Sequence, residues 1–398
     1  MENIDKGQIQ FFNITKRVLL LLAILFVFLV SLNLMSGGFK LLGKDIAEQI
    51  ITITSNPFVG LFVGLLATAL VQSSSTTTSM IVAIVASGTL TLQNAIPMIM
   101  GANIGTSVTS TIVALGHIPK RAEFQKAISS ATVHDFFNLI VVAFLFPIEY
   151  FTGALSSFGA AIAHVFYSEG VNSTKMFSLL GVTVKPAAKA IISLLGSNAM
   201  VVIPVSIGAL FISLRAFSLS LRKILIGNSQ KNLEKYVFGN SFKSLLWGTG
   251  ITAAVQSSSV TTSLIVPLVA TGKINLRKAF PFLMGANIGT TVTALIAAIS
   301  QNEAALAVAI CHLLFNMIGV FILFPIKSIR DIPIWMSEKL GFYAGKRRLV
   351  GVAYIVVTFF IIPFTLIYST SDFSEKKVNN EEVIETQVTP VSATFYKN

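Results

Sequence analysis

Long apolar runs separated by short polar loops make up most of the chain up to about residue 369. Most of these runs reach the ~20 residues that an α-helix needs to cross a bilayer. The pattern therefore predicts an all-α polytopic membrane protein. The predicted spans are residues 17–42, 95–116, 126–147, 199–221, 277–299, 305–326 and 349–369.

Two further apolar segments are interrupted by polar sequences. Residues 57–88 contain VQSSSTTTSM, beginning at Val71, and residues 241–271 contain VQSSSVTTSL, beginning at Val255. Packing through small residues would need only one polar face, whereas here consecutive positions around the whole helix are polar. The first segment has 32 residues, which is too long for one span of ~20 residues and suits two half-helices.

Both polar sequences belong to an internal duplication. Residues 64–115 align with residues 248–299 at a constant offset of 184, and roughly thirty of the 52 positions are identical. Both copies contain MGANIGT, and further on HDFFN (from His134) aligns with HLLFN (from His312) at an offset of 178. Repeats of this kind are typical of secondary transporters.

Matching loops of the two copies differ in charge. After the first QSSS segment the loop reads TLTLQN, whereas its counterpart reads KINLRK. The pattern reverses after GANIGT, where the first copy reads HIPKRAEFQK and the second reads QNE. Basic loops of membrane proteins lie mostly in the cytoplasm. The loops therefore predict two inverted-topology repeats, each with a re-entrant helical hairpin that carries QSSS at its tip.

This topology divides the chain into six units and places it in the plasma (inner) membrane. The N-terminus is predicted in the cytoplasm and the C-terminus on the extracellular or periplasmic side. The units are a cytoplasmic N-terminus (1–16), repeat 1 (17–147, hairpin 57–88), an extracellular or interfacial connector (148–198), repeat 2 (199–326, hairpin 241–271), a cytoplasmic loop with a terminal span (327–370) and a disordered tail (371–398).

Composition agrees with a lipid bilayer as the surroundings of this chain. Only 12% of the 398 residues are charged and 54% are hydrophobic, whereas soluble proteins carry about 25% charged residues. The net charge of +12 comes largely from loops beside apolar runs. The positive-inside rule accounts for such loops, so the charge does not indicate a nucleic-acid partner.

The polar sequences carry the groups that bind anions. A half-helix that starts at a hairpin tip presents free N–H groups and the positive end of its dipole, and hydroxyl and amide side chains add donors. Two tips that meet would form one anion site at the repeat interface. The predicted anion-site residues are Gln72, Ser73, Ser74, Ser75, Asn103, Gln256, Ser257, Ser258, Ser259 and Asn287.

A bound cation would balance an anion that is held by neutral donors alone. The oxygens of Thr106 and Thr290, with those of the neighbouring asparagines, suit a hard cation such as Na⁺. Asp135 is an acid within an apolar span, which is a functional residue by default. Asn138 and Asn316 recur in both copies and fit either cation ligation or hydrogen bonding between helices.

The paired QSSS and GANIGT sequences, with TVHDFFN and CHLLFN, resemble the type II sodium-dependent inorganic phosphate cotransporter family over about residues 24–363. The resemblance implies a symporter, not an enzyme, that imports inorganic phosphate by alternating access with Na⁺ as coupling ion and without a cofactor. It also implies that Asp135 serves an additional Na⁺, as in electrogenic members, and that Asn138, Thr290 and Thr293 are Na⁺ ligands.

Other interpretations remain open on the residues alone. The tips do not distinguish tetrahedral from planar anions, so another oxyanion or a carboxylate is an alternative substrate. A membrane enzyme or a non-transporting receptor is a further alternative, but no cluster of His, Cys and carboxylate residues and no nucleophile–base pair is visible in the sequence. The histidines at positions 134 and 312 fit structural hydrogen bonds or proton sensitivity. A homodimer is compatible with the sequence, which does not decide the oligomeric state.

Overall fold

The computed structural model describes residues 6–168, 175–225 and 237–369, and all regular structure in these ranges is helical, as predicted. The predicted disordered tail lies outside the described residues. A π-helical turn, Val357–Ile361, continues the last helix. The helices are α1 (Lys6–Lys40), α2 (Lys44–Thr54), α3 (Pro57–Val71), α4 (Ser74–Ser87), α5 (Leu92–Gly105), α6 (Val108–Leu115), α7 (Arg121–Thr152), α8 (Ala154–Ser168), α9 (Lys175–Leu194), α10 (Ala199–Leu225), α11 (Ser241–Val255), α12 (Ser258–Ala270), α13 (Leu276–Ile299), α14 (Glu303–Leu323), α15 (Lys327–Lys346) and α16 (Arg348–Val356).

Seven helical segments of the described chain are long and apolar enough to cross a membrane, and they coincide with the seven predicted spans. The two that carry GANIGT lie at the centre, because 78% and 72% of their most apolar windows are buried. The first, fourth and last segments are only 39%, 28% and 22% buried, as expected for helices that face lipid. The seven are Thr15–Lys40, Leu92–Leu115, Arg121–Thr152, Ala199–Ser220, Leu276–Ile299, Glu303–Leu323 and Arg348–Ser369.

The two copies of the duplicated sequence pack in the same way. α3 lies against α5, and its counterpart α11 lies against α13. Glycines allow this approach, because a Cβ atom at Gly64 or Gly248 would overlap a backbone carbonyl of the facing helix. Likewise, a Cβ atom at Gly101 of α5 or Gly285 of α13 would overlap a backbone carbonyl of α3 or α11. Small residues at such crossings let membrane helices come close enough for backbone contact.

This close packing predicts a strong effect of one added methyl group. In Gly248→Ala the new Cβ would meet the Phe282 carbonyl, so α11 and α13 must separate. We expect a loss of about 1–3 kcal/mol in the free energy of unfolding, as is typical of overpacking. Gly250→Ala in the same helix is the matched control, because nothing lies within 4 Å of its Cβ. The midpoint of thermal unfolding in detergent measures both, and equal midpoints would contradict the packing argument.

One helix after each copy crosses to the other copy. α8 follows α7 but lies against α14, and α15 follows α14 but lies against α7. A Cβ at Gly159 of α8 would overlap Cys311, and one at Gly341 of α15 would overlap Ser129. The sequence pattern assigned no helix to either segment, because α8 has only 15 residues and α15 carries charges along its length. The predicted connector also contains α9.

Candidate functional site

Each QSSS sequence lies at a sharp break between two helices. Gln72 ends α3 and Gln256 ends α11, both in the left-handed conformation, with φ of 56° and 54°. Among the described residues only one other non-glycine residue, Ser197, has positive φ. The N–H groups of Gln72 and Gln256 donate to the carbonyls one turn back, at 2.8 and 2.7 Å. Such conformations are uncommon outside glycine and concentrate at functional sites.

The serine after each glutamine starts the next helix. Ser73 and Ser257 have extended backbones and are the N-caps of α4 and α12. Their hydroxyl oxygens accept from the N–H groups of Thr76 at 3.2 Å and Val260 at 3.4 Å. Glutamine thus ends one helix, serine caps the next, and two serines fill the first turn. The first turns present the partly positive N-terminal ends of α4 and α12.

The two breaks touch each other through reciprocal hydrogen bonds. The Ser75 hydroxyl donates to the Gln256 carbonyl at 2.9 Å, and the Ser259 hydroxyl donates to the Gln72 carbonyl at 3.5 Å. Their donors and acceptors are exact counterparts at the offset of 184. Between them, the hydroxyls of Ser74 and Ser258 lie 3.4 Å apart. The structure therefore brings the eight QSSS residues into one cluster.

This cluster is less symmetric in exposure than in sequence. The Gln72 side chain is exposed, whereas that of Gln256 is only 7% exposed. The Thr109 hydroxyl donates to the Gln72 carbonyl at 3.4 Å, but its counterpart Thr293 has a buried hydroxyl without a partner in the described residues. The GANIGT helix is interrupted between α5 and α6 in the first copy and continuous in the second.

A second buried network of hydrogen bonds connects the two copies. Asn287 of α13 contacts two side chains of α7: its Oδ1 pairs with Nε2 of His134, and its Nδ2 donates to Oδ1 of Asn138 at 2.7 Å. The Nδ2 of Asn138 in turn donates to the backbone carbonyl of Asn103 at 2.7 Å. All four residues are at most 4% exposed. In this conformation Asn138 and His134 therefore form hydrogen bonds between helices.

The counterpart residues do not form the matching network. Asn103 donates to its own helix, at the Ile99 carbonyl, and Asn316 donates to the carbonyl of His312, both at 3.0 Å. Oδ1 of Asn316 and Nδ1 of His312 are buried without hydrogen-bond partners in the described part of the chain. The two asparagine and histidine pairs therefore occupy different environments.

Two of the three predicted threonine ligands, Thr106 and Thr290, hydrogen bond within their own helices. The hydroxyl of Thr106 donates to the Ala102 carbonyl at 3.0 Å, and that of Thr290 donates to the Ala286 carbonyl at 2.9 Å. Both side chains are 3% exposed. No hydrogen bond connects either of them to the QSSS cluster among the described residues. Their oxygens keep lone pairs that can accept a further ligand.

Asp135 is fully buried and has a partner that the sequence pattern did not indicate. Its Oδ2 accepts a hydrogen bond at 3.0 Å from the hydroxyl of Tyr354 in α16, while Oδ1 has no partner in the described residues. A tyrosine in a terminal apolar run is typical of a membrane interface, so this contact had no sequence signal.

Comparisons with known proteins agree with the resemblance seen in the motifs. The model of the Na⁺/Pi-cotransporter family matches residues 27–167 and 209–335. Sodium-dependent phosphate transport protein 2B of Homo sapiens is 33% identical over 92% of this chain and 67% of its own length. The 2B protein of Pongo abelii and the 2A protein of Ovis aries are also 33% identical, over 88% and 87% of this chain.

The chain spans about two thirds of these relatives, 65% of the Pongo abelii protein and 66% of the Ovis aries protein. No solved structure matches the chain. The matched residues include both QSSS sequences, both GANIGT sequences and Asp135. This all-helical, multi-pass membrane protein belongs to the Na⁺/Pi-cotransporter family.

Proposed function

We propose that this protein is a secondary active symporter that imports inorganic phosphate, as HPO₄²⁻, together with Na⁺ by alternating access. The observation that carries the proposal is the reciprocal contact between the two QSSS breaks, in which Ser75 and Ser259 donate to the carbonyls of Gln256 and Gln72. The relatives are sodium-dependent phosphate transport proteins, which supports the choice of substrate and coupling ion.

Phosphate binds, in this proposal, where the first turns of α4 and α12 meet. Two helix N-termini supply N–H donors and partial positive charge to one anion. Hydroxyls of the QSSS serines and the amides of the two glutamines add neutral donors. The Ser74 and Ser258 hydroxyls are only 3.4 Å apart, so we propose that they separate to admit the anion. Asn103 and Asn287 line the same site.

Na⁺ binds beside this site to oxygens that lack partners in the described residues. Three of the six predicted ligands present such an oxygen: Oδ1 of Asp135, Oδ1 of Asn316 and the hydroxyl of Thr293. A buried oxygen without a partner costs about 1–3 kcal/mol, and a hard cation would satisfy it. The positive charge of Na⁺ then balances the charge of the anion, which neutral donors alone hold. Thr106, Thr290 and Asn138 complete the proposed ligand set.

The proposal keeps the predicted topology. Residues 17–147 and 199–326 form inverted repeats, and the α3–α4 and α11–α12 pairs are re-entrant hairpins that enter from opposite faces of the membrane. The short lengths of α4 and α12, 14 and 13 residues, support hairpins, because a full span needs ~20 residues. The loop charges support a cytoplasmic N-terminus and a C-terminus on the other side. A homodimer stays a prediction.

Uptake of radiolabelled phosphate into proteoliposomes tests the function. We expect accumulation that requires an inward Na⁺ gradient and stops when K⁺ or choline replaces Na⁺. Uptake that ignores Na⁺ would overturn the coupling. The alternative substrate, another oxyanion or a carboxylate, would appear as stronger uptake than that of phosphate and as competition with it. Both uptake measurements use the protein with all 398 residues.

The proposed role of Asp135 predicts a change in transported charge. Asp135→Asn removes the carboxylate but keeps the shape of the side chain, so we expect the loss of one coupled Na⁺. The charge moved per phosphate, measured as current divided by radiolabel uptake at saturating Na⁺, should fall by one elementary charge. Asp331→Asn is the matched control, because Asp331 pairs with Arg277 and is one-third exposed. An unchanged ratio in Asp135→Asn would contradict this role.

A further inference from the structure

The hydrogen bond from Tyr354 to Asp135 joins the candidate cation site to a helix outside both sequence copies. α16 lies beyond the last residue, 335, that the family model matches. The tyrosine hydroxyl donates to Oδ2 at 3.0 Å, and Oδ1 of the same carboxyl group has no partner in the described residues. One carboxylate oxygen is therefore held by the protein, and the other keeps its full capacity as a ligand.

α16 can reach Asp135 because it lies close to α7. A Cβ at Gly351, one turn before Tyr354, would lie 3.0 Å from Phe124 and 3.2 Å from Ile128 of α7. Any larger residue at position 351 would push α16 away from α7 unless those side chains moved. The glycine therefore leaves room for α16 to lie this close to the Phe124 and Ile128 side chains of α7.

Aromatic neighbours and a change of helix type hold the Tyr354 ring. Its centroid is 6.2 Å from that of Phe136 and 6.1 Å from that of Phe359, the latter edge-on. The helix changes to π geometry at Val357, directly after the turn that carries the tyrosine. Single π turns inside α-helices are frequently found at functional sites. The π segment also contacts α3, which ends at the first QSSS sequence.

The pair has no counterpart in the second copy. The residue that matches Asp135 is Leu313, and α16 follows both copies. An acid and its hydroxyl donor are thus added to one side of a duplicated scaffold. A purely structural hydrogen bond would not need a fully buried acid with one oxygen left without a partner, since such a group is costly to bury.

We infer that Tyr354 is a positioning residue for Na⁺ at Asp135: its hydroxyl orients the carboxylate so that Oδ1 serves as the cation ligand. The inference rests on the proposed function, because it takes Na⁺ as the ion at Asp135. It assigns the terminal helix a part in cation binding and makes this site dependent on how α16 lies against α7.

Na⁺ binding without phosphate tests the inference on the purified full chain. The midpoint of thermal unfolding is followed as NaCl replaces choline chloride at constant ionic strength, since a ligand that binds the folded state raises this midpoint. For Tyr354→Phe we expect the Na⁺ concentration needed for a given rise in this midpoint to increase about tenfold, from loss of one hydrogen bond to a charged group. The midpoint in choline alone should also fall, because Oδ2 loses its donor, but the loss in Na⁺ should be larger than the loss in choline.

Further variants separate positioning from structure. Tyr343→Phe removes a hydroxyl from an exposed tyrosine of α15 and should leave the Na⁺ dependence unchanged. Gly351→Ala keeps the tyrosine but displaces α16, so it should also raise the required Na⁺ concentration. In an Asp135→Asn background, Tyr354→Phe should have no further effect on Na⁺ dependence. At saturating Na⁺, Tyr354→Phe should keep the wild-type charge per phosphate, which Asp135→Asn lowers.

Two results would overturn the inference alone: an unchanged Na⁺ dependence in Tyr354→Phe, or an equal loss of stability in choline and in Na⁺. The proposed function fails separately, when wild-type protein shows neither stabilisation by Na⁺ nor uptake driven by it.

Discussion

Ser75→Ala combined with Ser259→Ala is expected to abolish Na⁺-driven phosphate uptake, although it removes only two oxygen atoms. Each hydroxyl lies in the first turn of a helix and donates to the carbonyl of the opposite glutamine, at 2.9 and 3.5 Å. In the proposed site the same hydroxyls are donors to phosphate. A donor to a charged group contributes about 1.5–3 kcal/mol, so two lost donors should lower kcat/KM by roughly a hundredfold or more.

Ser79→Ala combined with Ser263→Ala is the matched control. These serines lie one turn further along α4 and α12 and are also counterparts at the offset of 184. Their buried hydroxyls have no hydrogen-bond partners in the described residues. Removing a buried hydroxyl that makes no hydrogen bond should not lower stability, and it should leave uptake unchanged. The control therefore carries the same chemical change on the same two helices, without the contact between the breaks.

The single variants test whether the two copies share one site. If the anion lies between the breaks, Ser75→Ala and Ser259→Ala should each raise the KM for phosphate by a similar factor. Wild-type uptake in the double variant would overturn the proposed site. A defect confined to one serine would assign the site to one copy, against the reciprocal geometry.

The spans and the QSSS breaks could be predicted from the sequence because both are local. A run of ~20 apolar residues indicates a membrane helix wherever it occurs. An eight-residue polar sequence inside such a run must interrupt it, and the same polar sequence in a second copy leaves little room for chance. The helix break at Gln72 and Ser73 falls within the predicted hairpin, at residues 57–88.

The contacts that complete the site could not be predicted, because they join distant residues. Tyr354 meets Asp135 across 219 positions, and His134 meets Asn287 across 153. No periodicity in one segment reports which side chain of another helix it faces. For a similar reason α15 was not predicted as a helix that lies against α7. Its sequence contains charges, and a mixed polar and apolar pattern does not indicate a span.

The structural difference between the two copies also could not be predicted from the sequence. Thirty identical positions predict two equal halves, yet Asn287 bonds to two side chains of the other copy while Asn103 bonds to its own helix. One conformation of a symmetric sequence can be asymmetric when the two halves exchange roles during a cycle. During alternating access in the proposed transporter, each copy would adopt the hydrogen-bond network that the other copy has here.

The last prediction follows from that reversal and concerns two buried histidines. In the observed conformation Nε2 of His134 pairs with Oδ1 of Asn287, whereas the His312 ring makes no hydrogen bond among the described residues. Nδ1 is unpartnered there in both histidines. Exchange of the copies would pair His312 with Asn103 and give the unpartnered Oδ1 of Asn316 a donor. His134→Leu should therefore destabilise the observed conformation, and His312→Leu the opposite one.

The two substitutions should have unequal effects on stability but similar effects on transport. His134→Leu leaves the buried Oδ1 of Asn287 without its partner, which costs about 1–3 kcal/mol, so its unfolding midpoint should fall. His312→Leu should not lower the midpoint, because the His312 ring makes no hydrogen bond among the described residues in this conformation. Both should slow phosphate turnover about tenfold or more, since each shifts a two-state equilibrium by at least ~1.4 kcal/mol.

The double variant decides between exchange and two independent defects. When each substitution weakens one of two alternating conformations, the pair rebalances their populations, and turnover in His134→Leu/His312→Leu should exceed that of either single variant. Independent local damage would instead multiply, so the double variant would be slower than both. Normal turnover in His312→Leu would show that its network never forms. Turnover at saturating Na⁺ and phosphate measures all three variants, because these histidines are outside the proposed ligand sets.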